Sequence, residues 1–256
     1  MRKWILALCT LSMLSCAVLS GCATWGEDKK KAELHLRLGT SQLESGNYPY
    51  ALRELLEAEK LDSSNPVTQN NLGLVYFFRE RYDLAEKHLR NAINMDEKYS
   101  EARNNLSRVL IEEGKYAEAE KELRVVLNDL TYASPDKAYI NLGLAKFNQK
   151  DYMAARNAFS KVLSKNQDDC ISSTYFGRTF FETEDYSRAA EALDRAIGFC
   201  QKNLYDEPHY YSALAYYRLG EKSKSVARFE ELIKYYPDGK YREKAKGMLS
   251  LIRKGH

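Results

Sequence analysis

Apolar positions fall into two regimes along this chain. Trp4 to Leu19 is a run without a single charge, preceded by a short basic start at Arg2 and Lys3. From Ala32 onward, small and large apolar residues recur every thirty-four positions with polar residues between them. Units beginning at Ala32, Pro66, Ser100, Asp136, Cys170 and Asp206 bring the columns into register. Position 7 reads Leu38, Leu72, Leu106, Leu142, Phe176 and Ser212, and position 8 reads Gly39, Gly73, Ser107, Gly143, Gly177 and Ala213. Position 17 is Tyr48, Tyr82, Tyr116, Tyr152, Tyr186 and Lys222. Position 20 is Ala51, Ala85, Ala119, Ala155, Ala189 and Ser225, and position 24 is Leu55, Leu89, Leu123, Phe159, Leu193 and Phe229.

This pattern predicts two antiparallel helices per unit, A and B. Small residues at 8 and 20 let the two axes approach, and large residues at 7, 17 and 24 fill the space around the contact. Gly46, Gly114 and Gly220 fall between the helices, where a positive φ is useful. One such unit cannot bury its apolar face alone, so neighbours must stack. The columns resemble the tetratricopeptide family over residues 32–239. The resemblance implies an all-α, right-handed superhelix (solenoid) of six repeats, 32–65, 66–99, 100–133, 136–169, 170–203 and 206–239. Ser212, Lys222 and Ser225 make the sixth the weakest unit, although it keeps Pro237 where the family ends helix B. Residues 240–256 read as a capping helix and tail: Tyr241, Ala245, Met248, Leu249 and Ile252 share one face, with Arg242, Glu243, Lys246 and Arg253 free to meet water. The period slips by two residues at Ser134-Pro135 and at Leu204-Tyr205, which either divide the stack into sub-blocks or only lengthen turns.

Composition narrows the picture. Only 5 Pro and 13 Gly in 256 residues favour helix, and a formal charge of +3 with no basic run gives no reason to expect nucleic acid. The basic start and apolar run read as a secretory signal over residues 1–21. The run is shorter than the roughly 18–20 residues that a membrane span needs. It ends in Leu19-Ser20-Gly21-Cys22, which resembles a bacterial lipobox. That resemblance implies cleavage before Cys22 and acylation (palmitate included) of its thiol and new amine, with residues 22–31 as a lipidated tether. Two or more chains anchor firmly where one does not. Ala23, in place of the aspartate that retains lipoproteins at the inner membrane, implies the periplasmic face of the outer membrane. Cys9 and Cys16 would leave with the signal. Cys170 and Cys200 would remain in an oxidising compartment at neighbouring ends of one hairpin, as a disulfide or as two buried thiols.

Helix A lines the concave face of such a superhelix. Its position 12 is apolar throughout: Leu43, Phe77, Ile111, Phe147, Phe181 and Tyr217. Position 9 adds Leu74, Leu144 and Leu214, and Phe78, Ile140 and Tyr210 extend the stripe. Such a stripe reads either as a groove for an apolar protein segment or as packing against the next helix A. No metal-ligand spacing, C-x-x-C, phosphate loop or nucleophile elbow occurs, so neither enzymatic activity nor a cofactor is expected. The stretch Asn128-Asp129-Leu130-Thr131-Tyr132-Ala133-Ser134-Pro135, continued by Lys137-Ala138-Tyr139-Ile140-Asn141-Leu142-Gly143-Leu144, with the lipobox and six repeats, resembles the type IV pilus biogenesis lipoproteins, which include secretin pilotins and the social-gliding lipoprotein. That implies a part in localising or assembling the pilus secretin subunits at the outer membrane. Among secretin contacts, Phe77, Phe78 and Ile111, near the tether along the chain, are the expected anchors. The competing reading is another periplasmic scaffold lipoprotein, serving cell-wall enzymes or outer-membrane protein assembly.

Overall fold

The periodic positions become helices almost residue for residue. The computed structural model describes residues 26–201 and 204–254. The signal segment, Cys22 and Ala23 lie outside the described residues. Helix α1 covers 26–44, followed by α2 (Tyr48–Leu61), α3 (Pro66–Phe78), α4 (Tyr82–Met95), α5 (Ser100–Glu112), α6 (Tyr116–Asn128), α7 (Pro135–Asn148), α8 (Tyr152–Leu163), α9 (Cys170–Glu182), α10 (Tyr186–Cys200), α11 (Glu207–Arg218), α12 (Lys222–Tyr235) and α13 (Arg242–Arg253). Two boundaries depart from expectation. The tether expected over 22–31 is helical from residue 26, because 27–33 are good helix formers and Lys31 pairs with Glu27 one turn away at 4.0 Å. Helix α7 starts at Pro135, whose fixed φ suits a first helical position.

Local chemistry sets the punctuation. Asn65 accepts hydrogen bonds from the backbone N–H groups of Val67 and Thr68, and Asp151, Asp169 and Asp185 cap α8, α9 and α10 in the same manner. Every A-to-B turn closes alike. The residue at position 15 has positive φ in all six repeats: Gly46, Glu80, Gly114, Lys150, Glu184 and Gly220. Its N–H bonds the carbonyl of position 12, and the next N–H bonds that of position 11, as in Glu80 to Phe77 at 2.9 Å and Arg81 to Tyr76 at 2.9 Å. This is the Schellman pattern. Sequence reading found only its three glycines.

The chain divides into two compact units that meet between Val109 and Leu110, inside α5. Neither two-residue insert marks that boundary, so the sub-block reading of the inserts does not hold. Instead both inserts are absorbed locally. Tyr132, just before the first, packs with Leu123, Val126 and Ala138. Tyr205, in the second, donates its hydroxyl hydrogen to Glu207.

In the first unit, α3 lies against α4 and α2 against α3. Leu55 and Leu89 are wholly buried, and their tips seat on the glycines of position 8. A Cβ on Gly39 would stand 2.6 Å from Leu55 Cγ, and one on Gly73 would stand 2.5 Å from Leu89 Cγ. Leu38 is 46% exposed, whereas Leu72 at the same position is fully covered, since no described helix precedes α1. Buried amides tie the A helices together: Asn105 donates to Asn70 (2.9 Å), Asn70 to Asn71 (3.1 Å), Asn71 to Thr40 (2.8 Å), and Thr40 to the Leu36 carbonyl (2.8 Å). His88, its pKa lowered by burial, pairs with Gln69 at 2.8 Å.

The second unit repeats the design. A Cβ on Gly143 would meet the Phe159 ring at 2.5 Å, and one on Gly177 would meet Leu193 Cγ at 2.7 Å. Cys170 and Cys200 are joined by a disulfide, Cα to Cα 5.0 Å, that fastens the start of α9 to the end of α10. Cys200 is the last residue of α10. At the far end Tyr241, the N-cap of α13, and Ala245, Leu249 and Ile252 on that helix lie over Ala213, Phe229, Leu232 and Tyr236. Asp206 pins that helix, its buried carboxylate accepting the Tyr241 N–H at 2.7 Å. One departure of the sixth repeat, Ser212, also has a role. Ser212 and Tyr216 donate to Asp194 at 2.6 and 2.8 Å, and Arg228 pairs with it at 3.0 Å. Burial works against the Asp194 carboxylate, but these donors hold its pKa below the usual value.

Candidate protein-binding face

The expected groove residues do not form one uniform open stripe. Phe78 is the exposed one, at 42%, and Phe147 is the buried one, at 8%; the others are half-buried. The reason lies in what position 12 touches. Phe77 leans on Tyr82 (5.8 Å between centroids), Phe147 on Tyr152 (5.3 Å) and Phe181 on Tyr186 (5.5 Å). In three repeats the position-12 aromatic therefore braces its own A-to-B turn against the position-17 tyrosine. Phe147 and Phe181 also meet the next A helix edge-on, at Tyr175 (5.1 Å) and Tyr211 (5.4 Å). Such pairs stabilise by about 0.5–1.5 kcal/mol beyond their area.

In the first unit, Leu43 packs with the cluster of Ala51, Leu55, Leu72 and Val75, and Leu74 is half-buried on α3. Phe77 and Phe78 meet edge to face at 5.5 Å, and Phe78 stacks on Tyr48 at 5.0 Å. The Arg108 guanidinium lies 4.6 Å from the Phe77 ring and 5.8 Å from Phe78. Aromatic rings here share one exposed edge with a cation, a combination suited to anchoring a partner.

In the second unit, Ile111 and Ile140 are half-buried, and Leu144 packs against Phe147 and Phe159. Tyr210, Leu214 and Tyr217 pack against the α12–α13 cluster, with Tyr210 stacked on Tyr241 at 4.7 Å. They therefore serve chiefly as core beneath the capping helix. Between these groups sits Arg178. Its guanidinium lies over Phe147 (4.5 Å), Tyr175 (5.0 Å) and Tyr211 (4.2 Å), and it is bonded to the buried Glu207. Burial opposes its charge, yet Glu207 and the surrounding tyrosines leave its pKa raised. Burial and Glu207 together push the Tyr205 hydroxyl well above the ordinary tyrosine range, so it stays a donor.

The two arginines escaped the sequence reading, which looked for apolar residues. A signal was present. Position 9 reads Thr40, Leu74, Arg108, Leu144, Arg178 and Leu214, and each arginine stands thirty-one residues after a position-12 phenylalanine. The asparagines of the ladder went unremarked for the same reason.

Tetratricopeptide-repeat family models match residues 79–131, 140–203 and 209–239. A TPR repeat-containing protein of Methanocaldococcus jannaschii is 28% identical over 102 residues, 40% of this chain and 18% of that protein. The chain thus spans less than a fifth of that curated relative. Two solved structures share the fold nearly end to end. PilF of Pseudomonas aeruginosa superposes with a TM-score of 0.72 at 19% identity, covering 87% of this chain and 99% of that one. PilW, a widely conserved type IV pilus biogenesis factor, superposes with a TM-score of 0.76 at 17% identity, covering 83% and 97%.

Proposed function

From the premise that this chain is a tetratricopeptide-repeat protein, we propose that it is an outer-membrane lipoprotein, acylated at Cys22, that holds type IV pilus secretin subunits while they reach the membrane and assemble there. What supports the pilus reading is the end-to-end likeness to PilF and PilW, which leaves almost nothing of either chain unmatched. The lipobox supplies the anchor, and the Phe77–Phe78 edge supplies the grip. A subunit gripped in the first unit is held close, along the chain, to the lipid. Aromatic anchors of this kind carry ~2 kcal/mol or more when truncated to alanine.

The test is a Phe77→Ala, Phe78→Ala double variant that keeps wild-type helical content and membrane fractionation. Heat-resistant secretin multimers should fall and monomers accumulate. Wild-type multimer levels would remove this edge as the secretin site. If multimers persist when the whole gene is deleted, the scaffold for cell-wall enzymes or outer-membrane protein assembly becomes the reading. For the anchor, Cys22→Ser should abolish palmitate labelling and release the protein from the membrane fraction; normal labelling would refute lipidation at that residue.

A further inference from the structure

Helix α1 is apolar on two opposite sides. On its inner side Ala32 and Gly39 are buried, and Leu36 and Leu43 pack with Ala51 and Leu55. On its outer side Leu34 is 51% and Leu38 46% exposed. Glu27, Lys30, Lys31, Arg37 and Ser41 continue that outer face at three- and four-residue spacing, and all of them are exposed. From residue 27 to residue 45 such a face is about 27 Å long, at ~1.5 Å per residue. The repeat does not call for these residues. Position 3, Leu34 here, is Thr68, Ala102, Ala138, Ser172 and Pro208 in the later repeats, smaller and buried each time. Position 6, Arg37 here, is an asparagine or a tyrosine in the other five. A terminal helix of a solenoid needs only a polar outer face, and α13 has one in Glu243, Lys246, Ser250 and Arg253, all exposed. Helix α1 instead sets two leucines among three cations.

We propose that the outer face of α1 lies on the anionic phospholipid surface to which the chain is tethered, with Leu34 and Leu38 entering the interface and Lys30, Lys31 and Arg37 meeting lipid phosphates around them. The proposal rests on acylation at Cys22. That residue stands four positions before Gly26, where the helix begins, so the intervening chain reaches at most ~14 Å, at ~3.3–3.6 Å per residue. So short a tether gives α1 a high effective concentration at the bilayer, and contacts too weak to bind from solution then suffice. Apolar side chains flanked by lysine and arginine suit that interface, where buried apolar area and attraction to anionic lipid add together. Lys31 pairs with Glu27 at 4.0 Å and Arg37 with Glu33 at 3.8 Å, but all four side chains are well exposed. Pairs of that kind are weak and leave the cations able to turn to phosphate. A second copy docked by the same face would set cation against cation.

The test labels Leu34→Cys and Leu38→Cys, one at a time, with the dye NBD in the mature acylated protein, reconstituted into vesicles of phosphatidylethanolamine and phosphatidylglycerol. Both positions are exposed, so the label displaces no core contact, and helical content checks the fold. Nitroxide-bearing lipid should quench both probes about twofold or more, as for side chains at the headgroup boundary. A probe at Met153→Cys, 74% exposed on α8, should stay unquenched. Adding Lys30→Glu and Lys31→Glu should reduce the quenching at 34 about twofold. Quenching at 34 and 38 no greater than at 153 overturns the proposal, and so does quenching indifferent to the two charge reversals. Shielding that rises with protein density and not with nitroxide lipid assigns the face to a second copy and also overturns it. Palmitate labelling is scored on the same samples. Labelled protein with water-exposed probes keeps the anchor and sinks this inference alone; unlabelled protein sinks the anchor and this inference with it.

Discussion

Position 15 of each repeat must adopt a left-handed conformation, and in three repeats it does so without glycine. Glu80, Lys150 and Glu184 have φ of 58°, 64° and 61°. A side chain there is disfavoured by roughly 1–2 kcal/mol, offset in part by the larger freedom of glycine when unfolded. Each of Glu80→Gly, Lys150→Gly and Glu184→Gly should therefore stabilise by about 0.5–1 kcal/mol in urea unfolding; a loss would mean that these side chains make compensating contacts. The opposite sign is expected at Gly143. Alanine is the better helix former by about 1 kcal/mol, but its Cβ would stand 2.5 Å from the rigid Phe159 ring. Gly143→Ala should destabilise by about 1–3 kcal/mol, and a raised melting temperature would show that the ring can move aside.

At the level of the helix, α11 carries a titration. His209 is 2% exposed, its Nδ1 has no hydrogen-bond partner, and its ring meets Tyr236 at 5.1 Å. Burial, against attraction from Glu231 and Asp194 and with repulsion from Arg228, lowers its pKa from 6.5 to about 4. The unfolded chain therefore takes up this proton first. Stability is full above pH 6.5, falls as the pH drops toward 4, and has by then lost roughly 3 kcal/mol from this group. His209→Phe should flatten that stretch of the stability–pH curve; an unchanged slope would assign it to carboxylates. Helices of this kind were legible because their apolar columns repeat and their lengths follow. The polar interior was not. Asp194 sits at an unremarkable helix-B position and becomes an anchor only when Ser212, Tyr216 and Arg228 arrive from two other helices. Arg178 likewise looks like a solvated charge until Glu207 and three rings close around it. Periodicity finds what each repeat shares, whereas these residues matter through what one repeat does and its neighbours do not.

For the molecule as a whole, the repeat register and the cap could be read from one-dimensional spacing. The split at Val109 and Leu110, inside a helix of ordinary composition, could not, since no loop or insert announces it. The Cys170–Cys200 bond has a consequence at this scale that is mechanical. Under the proposed lipid anchor at one end and a partner's load elsewhere, the chain would come under tension. Stretched from its termini, the chain would pay out link by link until tension reached the fifth repeat. There the bond spans a sequence separation of 30 residues, and the segment between the sulfurs bears no load. In a single-molecule pulling experiment, adding reductant should lengthen the fully extended molecule by about 100 Å, at ~3.3–3.6 Å per residue freed. The same extension with and without reductant would mean that nothing in the fifth repeat acts as a force-bearing clasp.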